Sequence, residues 1–585
     1  MQKRLYAQRY FSTPDLAILL LIATTIYGIV AIGKEWRSDF HPLTQIDLSI
    51  TALPYYTLMS GFRGIVAYLI SLTFTLVIGF TAAKSKFAEK IIVPLLDILQ
   101  SIPVLGFLPG LLLGLVALFP HTNTGLELAA IIMIFTGQVW NMTFSFYSSL
   151  KSLPAELNEA STVIGLSWRQ KLTKVELPYS AVNLAWNSLL SMAGGWFFLI
   201  PCEAMTLGDK EYRLPGIGAY MDVAIKTGDH TATVLAIAAM IFLIVSIDFV
   251  IWRPVLSWVQ RFRLEEIAGA GTTEPLMQIW LREAKILRFF KVMYRHWESK
   301  RRTKKSRRVP VIQDAVQPIL QEAPKKLWVR SHQSGKLLRF LEKGVLIALF
   351  AVAGFWAFKL FKVLSHISIS IWIRLIRDTL WTFLRVLIAL GISTLWAVPV
   401  GIWIGISPRR IRIAQPIIQV LASFPAPMLY PLALGLLFKV GLELSYASVF
   451  LMLLGVQWYV LFNVLAGAMR IPHQLNDALL LMEASHWDRW KTLYLPSVFP
   501  SLVTGWITAA GGAWNASVVA EYIYFQGSIV KTAGLGATLS AATAGGDFTL
   551  FAASLTVMVI VVILLNRTFW SKFYHLAQTR FRMEL

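Results

Sequence analysis

The 585-residue chain has a single cysteine, Cys202. That excludes an internal disulfide and leaves no thiolate cluster for a metal, so Cys202 reads as a small apolar core residue. Charge is also scarce. Only 15% of residues are Asp, Glu, Lys or Arg, where soluble domains average about 25%. Acidic residues are the scarcer sign, 32 against 54 basic ones, leaving a net charge of +22. A nucleic-acid binder would gather such a surplus on a soluble domain. Here it lies in loops between apolar runs, the mark of cytoplasmic loops in a membrane protein. No G-x4-G-K-[S/T] occurs, so the chain lacks this phosphate-binding loop. No catalytic triad or metal-ligand cluster is apparent either. What is abundant is apolar surface: 56% hydrophobic residues and a mean hydropathy of +0.61. Those values point to an integral membrane protein.

A bilayer core of roughly 30 Å needs about 20 apolar residues of helix. Runs of that kind fall near 15–33, 62–83, 98–119, 127–147, 184–202 and 232–252. A second set falls near 341–362, 379–406, 425–440, 447–469, 500–520 and 550–567. The expected fold is therefore an all-α polytopic membrane protein of about twelve helices in two halves of six. Prolines interrupt the third run of each half. The basic N-terminus "MQKRLYAQRYFSTPD" precedes the first run without a small-residue cleavage pattern, which suggests a membrane helix and not a removable signal. Lys and Arg gather in alternate loops, which places both termini in the cytoplasm. Residues 253–340, with "ESKRRTKKSRR", read as a basic cytoplasmic linker. It could be a solvated connector or a lipid-headgroup ligand. Glu274 to Trp297 is amphipathic enough to lie on a membrane.

The halves repeat each other. Pro94, Pro103 and Pro109 recur 322 residues later as Pro416, Pro425 and Pro431, with Arg63 as Arg385 and Gly79 as Gly401. Further on the offset is 318, carrying Pro154, Pro178, Gly194, Trp196, Glu203, Gly216 and Asp229 onto Pro472, Pro496, Gly512, Trp514, Glu521, Gly534 and Asp547. An even number of helices per half implies parallel repeats about a pseudo-two-fold axis along the membrane normal, with a site between them. The expected domains are 1–252, the linker 253–340, and 341–585.

Each half carries one polar stretch too charged to span: "LNEASTVIGLSWRQKLTKVELP" at 157–178 and "LNDALLLMEASHWDRWKTLYLP" at 475–496. Apolar residues recur in the first at helical spacing, and Gly165 suits a turn between two short helices. Such an element could rest on headgroups or dock as a rigid lever into a groove on a cytoplasmic partner. Glu159-Ala160-Ser161, three residues, Gly165, nine residues, then Val175-x-Leu177-Pro178 resembles the E-A-A-x3-G-x9-I-x-L-P loop of permease subunits of ATP-binding cassette (ABC) importers. The second copy is degenerate: Asp477-Ala478-Leu479, then Glu483 where the glycine stands, then Leu493-x-Leu495-Pro496. "SVVAEYIYFQGSIVKTAGLGATL", Arg385 after "WTFL" and the proline-rich third helix are similar to the nitrate/taurine-type subfamily, which serves sulfonates, nitrate and bicarbonate.

The resemblance implies two such permeases fused in one chain, with a type I ABC importer-like fold in the bacterial inner membrane. It implies an import pore for a small, anionic solute, with no cofactor of its own. ATP and Mg would sit in two separate cytoplasmic ATPase subunits, and an extracytoplasmic solute-binding protein would deliver the solute. The coupling residues would be Glu159, Ala160, Gly165, Leu177 and Pro178, with Asp477, Ala478, Glu483, Leu495 and Pro496. The missing glycine suggests unequal docking sites. Candidates for the translocation path or gate are Trp196, Glu203, Trp514, Glu521, Arg63 and Arg385. The carboxylates could instead pair or bind backbone N–H groups at a helix end, the tryptophans anchor at the interface, and the arginines snorkel to headgroups. Two other classes stay open: an ion-gradient-driven secondary transporter, and a non-transporting sensor or scaffold.

Overall fold

A computed structural model of the chain describes residues 23–262 and 334–580, except residues 25, 29, 32 and 209. The first apolar run and the basic linker lie largely outside these residues, and the Glu274–Trp297 segment lies wholly outside them. Two compact units are distinguished. One is described chiefly by the 31-residue helix Ser334–Leu364. The other contains the described residues of 28–272 and 366–585, and so holds both copies of the repeat.

Among the described residues, seven helices are long and apolar enough to cross a membrane: Leu53–Lys84, Thr124–Lys151, His230–Gln260, Ile369–Gly405, Leu444–Ala468, His486–Ala520 and Phe548–Ala577. Two bent pairs raise the number to nine if each pair is one span. The runs expected near 184–202 and 341–362 are helical, as Leu177–Phe197 and Ser334–Leu364, but are not among the nine.

The bent pairs are the proline-interrupted third runs. Lys86–Gln100 meets Val104–Leu118 at 99°, and Pro408–Ser423 meets Ala426–Lys439 at 86°. The cause is local. Ile102 and Phe424, each just before a proline, are extended, with ψ of 124° and 132°. The ring of a following proline disfavours the helical conformation at that position.

Packing repeats as well. In the first half Thr124–Lys151 lies between Leu177–Phe197 and Leu53–Phe74; in the second Leu444–Ala468 lies between Leu495–Ala520 and Ile369–Gly405. The all-α expectation needs one addition. After Glu203 and after Glu521 the chain makes a two-stranded antiparallel hairpin, Ala204–Leu207 with Lys210–Arg213 and Tyr522–Phe525 with Ser528–Lys531. The first hairpin reaches the other half, where the Gly208 amide donates to the Thr543 carbonyl at 3.2 Å.

Candidate functional site

The two polar loops fold alike. Ala155–Val163 and His473–Leu481 each form a short helix starting after a proline. A left-handed residue then breaks the helix: Gly165 at φ 71° and Glu483 at φ 55°. A serine restarts it. The Ser167 hydroxyl accepts from the Gln170 amide, and the Ser485 hydroxyl from the Asp488 amide. Next comes a wide π-type turn, Leu172–Glu176 and Trp490–Tyr494, leading into the long helices that begin at Leu177 and Leu495. The missing glycine therefore leaves the path of the chain unchanged. It leaves strain, since a side chain in the left-handed region costs roughly 1–2 kcal/mol.

Glu159, Ala160 and Gly165 are exposed, as are Asp477, Ala478, Glu483 and Leu495, while Leu177, Pro178 and Pro496 are half-buried. The buried Glu176 ties the first loop to the end of the Leu53–Lys84 helix through Lys84 Nζ at 2.5 Å. In the second, the Tyr494 hydroxyl donates to Asn476 at 2.6 Å. An apolar pair at matched positions is exposed just before each turn. Val163 and Ile164 are 87% and 72% exposed, and Leu481 and Met482 are 86% and 76% exposed.

Arg63 and Arg385 do not reach toward headgroups. They are 1% and 3% exposed, because each is bound inside its own half. Arg63 forks onto Glu127, with Nε and Nη2 each 2.6 Å from a carboxylate oxygen. Its Nη1 donates to Glu203 at 2.7 Å and to the Pro215 carbonyl at 2.8 Å. Ser60 and the Gly218 amide complete Glu203, at 2.6 and 2.7 Å. Arg385 donates to Glu521 at 2.9 Å, to the Ala533 and Ser445 carbonyls, and to the Ser445 and Thr532 hydroxyls. Thr382 and the Ala537 amide complete Glu521. Gly216 and Gly534 lie so close that a Cβ would come within 2.2 Å of the glutamate oxygens. Trp196 and Trp514 are both 2% exposed; Trp196 packs with Leu53, Tyr56 and Tyr220.

Between the halves lies a cavity of about 190 Å³, far above the roughly 10–15 Å³ that one water needs. Both halves line it, through residues such as Gln100, Trp140, Asn141, Tyr459, Asn515 and Asn566. None of the six path candidates lines it. Burying an arginine demands carboxylate and carbonyl partners, and those partners draw Arg63, Glu203, Arg385 and Glu521 into closed clusters away from this space. The cavity wall includes no Lys, Arg, Asp or Glu. Gly194, Gly511 and Gly512 also face it. Across the seam, the Asn515 side chain accepts from the Val104 amide at 2.8 Å, and Gln419 donates to Asp248, whose other oxygen meets Arg253 at 2.8 Å.

The family profile "Binding-protein-dependent transport system inner membrane component" matches twice, over residues 75–252 and 397–574. The chain belongs to this family of binding-protein-dependent transport components. Each match falls on one copy of the repeat. A nitrate import permease protein, NrtB, of Leptolyngbya laminosa is 27% identical over 24% of this chain and 48% of its own length. The taurine transport system permease protein TauC of Escherichia coli is 29% identical over 32% of this chain and 66% of its own. The chain spans about half the length of several curated relatives that it matches. A solved structure of the MetNI methionine ABC transporter in inward-facing conformations overlaps 36% of this chain and 99% of its own at 19% identity and TM-score 0.31. A transport component of this family is a membrane protein and not an enzyme.

Sequence reasoning passed over Glu127, which is fully buried. It lies 318 residues before Ser445, so a search for repeated acids skips it. The available signal was an acid entering an otherwise apolar run. The cavity amides Asn141 and Asn566 were missed for the same reason: their matched positions hold Tyr459 and Asp248.

Proposed function

We propose that this chain is the whole pore of an ATP-driven ABC importer for a small anionic solute, two permease units fused as 1–252 and 341–585 through the linker 253–340. Two cytoplasmic ATPase subunits bind ATP and Mg and drive it. The loops 154–178 and 472–496 carry their motion to the membrane helices. An extracytoplasmic binding protein delivers the solute, and both termini lie in the cytoplasm. The anionic class follows the names of the relatives, which include nitrate, sulfonate and bicarbonate permeases. The Arg63 and Arg385 clusters serve as rigid ends of the helices that rock, not as solute contacts.

The observation that carries the coupling is the matched apolar pair at each turn, Val163–Ile164 and Leu481–Met482. Adjacent large apolar side chains left exposed on a polar loop mark a surface that a partner covers. The test uses the chain assembled with its ATPases and binding protein. Replacing Val163 and Ile164, or Leu481 and Met482, by aspartate is expected to cut solute-stimulated ATP hydrolysis at least about tenfold, since an interface core concentrates its energy in few residues. Undiminished hydrolysis in both double variants would overturn the coupling reading. Uptake that survives without the ATPases but stops with an ion gradient would point to a secondary transporter. No solute-stimulated hydrolysis in the unmodified assembly would favour a sensor or scaffold.

A further inference from the structure

The pseudo-two-fold relates the polar cavity to a second space lined by residues that include Leu190, Phe197, Ala422, Phe424 and Phe462, of only about 30 Å³. The matched positions explain the difference. Gln100, Thr136, Thr508 and Asn515 line the larger cavity, and their counterparts are Ala422, Leu454, Leu190 and Phe197. At these four positions one side of the pseudo-axis has hydrocarbon where the other has amides and hydroxyls, and the smaller space keeps Trp458 and shares Tyr459 with the larger one. The carboxylate matched to Asn566, Asp248, is held by Gln419 and Arg253.

On the polar side several groups are unused. Among the described residues, the Trp140 indole, the Tyr459 hydroxyl and the Asn141 and Asn566 amides have no hydrogen-bond partner, although all line the cavity. Each can donate, and the wall carries no formal charge. Neutral donors around one cavity suit a ligand with several acceptor oxygens. They hold it less tightly than an arginine would, as a pore that must also release its cargo requires.

We propose that the solute binds on one side of the pseudo-axis only, as a small oxyanion held by neutral donors from Trp140, Asn141, Tyr459 and Asn566. This rests on the importer reading above and names its solute site. The test is calorimetric titration of the purified full chain in lipid nanodiscs with sodium nitrate and with sodium methanesulfonate, over a sodium chloride background. The unmodified chain binds at least one of them. Asn141→Leu and Asn566→Leu each weaken binding about tenfold, as expected for losing one donor to a desolvated anion. Leu190→Ala and Phe462→Leu, on the apolar side, change it less than about twofold. Tyr459→Phe keeps the ring that packs on Gly512, removes only the hydroxyl, and weakens binding with an unchanged melting temperature. Equal losses from the two sides would overturn the one-sided site, and failure of both anions to bind the unmodified chain would overturn the ligand class. Neither ATPase nor binding protein enters the titration. A chain that binds in this way but does not stimulate ATP hydrolysis would refute the coupling reading alone.

Discussion

Arg63 and Arg385 occupy the same place in two copies of one design, and the acceptors around them differ. Arg63 sits between two buried carboxylates, Glu127 and Glu203. Arg385 has one, Glu521, and where Glu127 would stand the hydroxyl and carbonyl of Ser445 take its place. Every nitrogen of both guanidinium groups has an acceptor, through four hydrogen bonds at Arg63 and five at Arg385. What the repeat keeps is the arginine, the glutamate before the hairpin, the hydroxyl of Ser60 or Thr382, and a glycine packed on the carboxylate. What it lets vary is the remaining acceptors: Glu127 for Arg63, Ser445 and Thr532 for Arg385. Giving each nitrogen of a buried guanidinium an acceptor is the requirement; the chemistry of each acceptor is open within it.

The comparison can be broken most directly at the arginines. Removing one partner of a buried ion pair typically costs about 3–5 kcal/mol. Arg63→Met strands two carboxylates and Arg385→Met strands one, so the first is expected to lower the melting temperature of the detergent-solubilised chain more. Equal losses would mean that Glu127 adds nothing the serine does not. A smaller effect is expected where the halves agree. Gly216→Ala and Gly534→Ala each drive a methyl into a glutamate, and overpacking of this kind costs about 1–3 kcal/mol. The two losses should match, and a clear inequality would show that the clusters differ in rigidity as well as in charge. The smallest effect belongs to the loops. Gly165→Ala is expected to destabilise its loop by about 1 kcal/mol and Glu483→Gly to stabilise its own by about as much, because both positions have left-handed backbone. Hydrogen exchange of the two loops in the assembled chain would show the opposite shifts.

Much of this architecture is legible in the sequence because prolines, glycines and tryptophans hold register between the halves. Pro103 and Pro425 foretell the two broken helices, and Gly165 foretells the turn between two short helices. Two kinds of feature escape. The first is whatever the halves do not share: Glu127, Asn141 and Asn566 have no like residue at their matched positions, and a search for repeats sees only agreement. The second is depth. Arg63 reads as a headgroup contact or a path residue until its acceptors are placed around it, and those come from Glu127, Glu203 and Pro215, at most 152 residues away in the chain. The paired hairpins were hidden because strands of four residues are too short to show alternation.

Carrying both halves on a single polypeptide has a further effect on the cavity. In a pair of identical subunits every substitution is made twice, and a face that gains an amide gains it on both sides of the axis. Here a change at Thr508 leaves Leu190 untouched. Selection can therefore fill one flank with hydrocarbon and tune the other for its cargo, a freedom that a symmetric pair does not have.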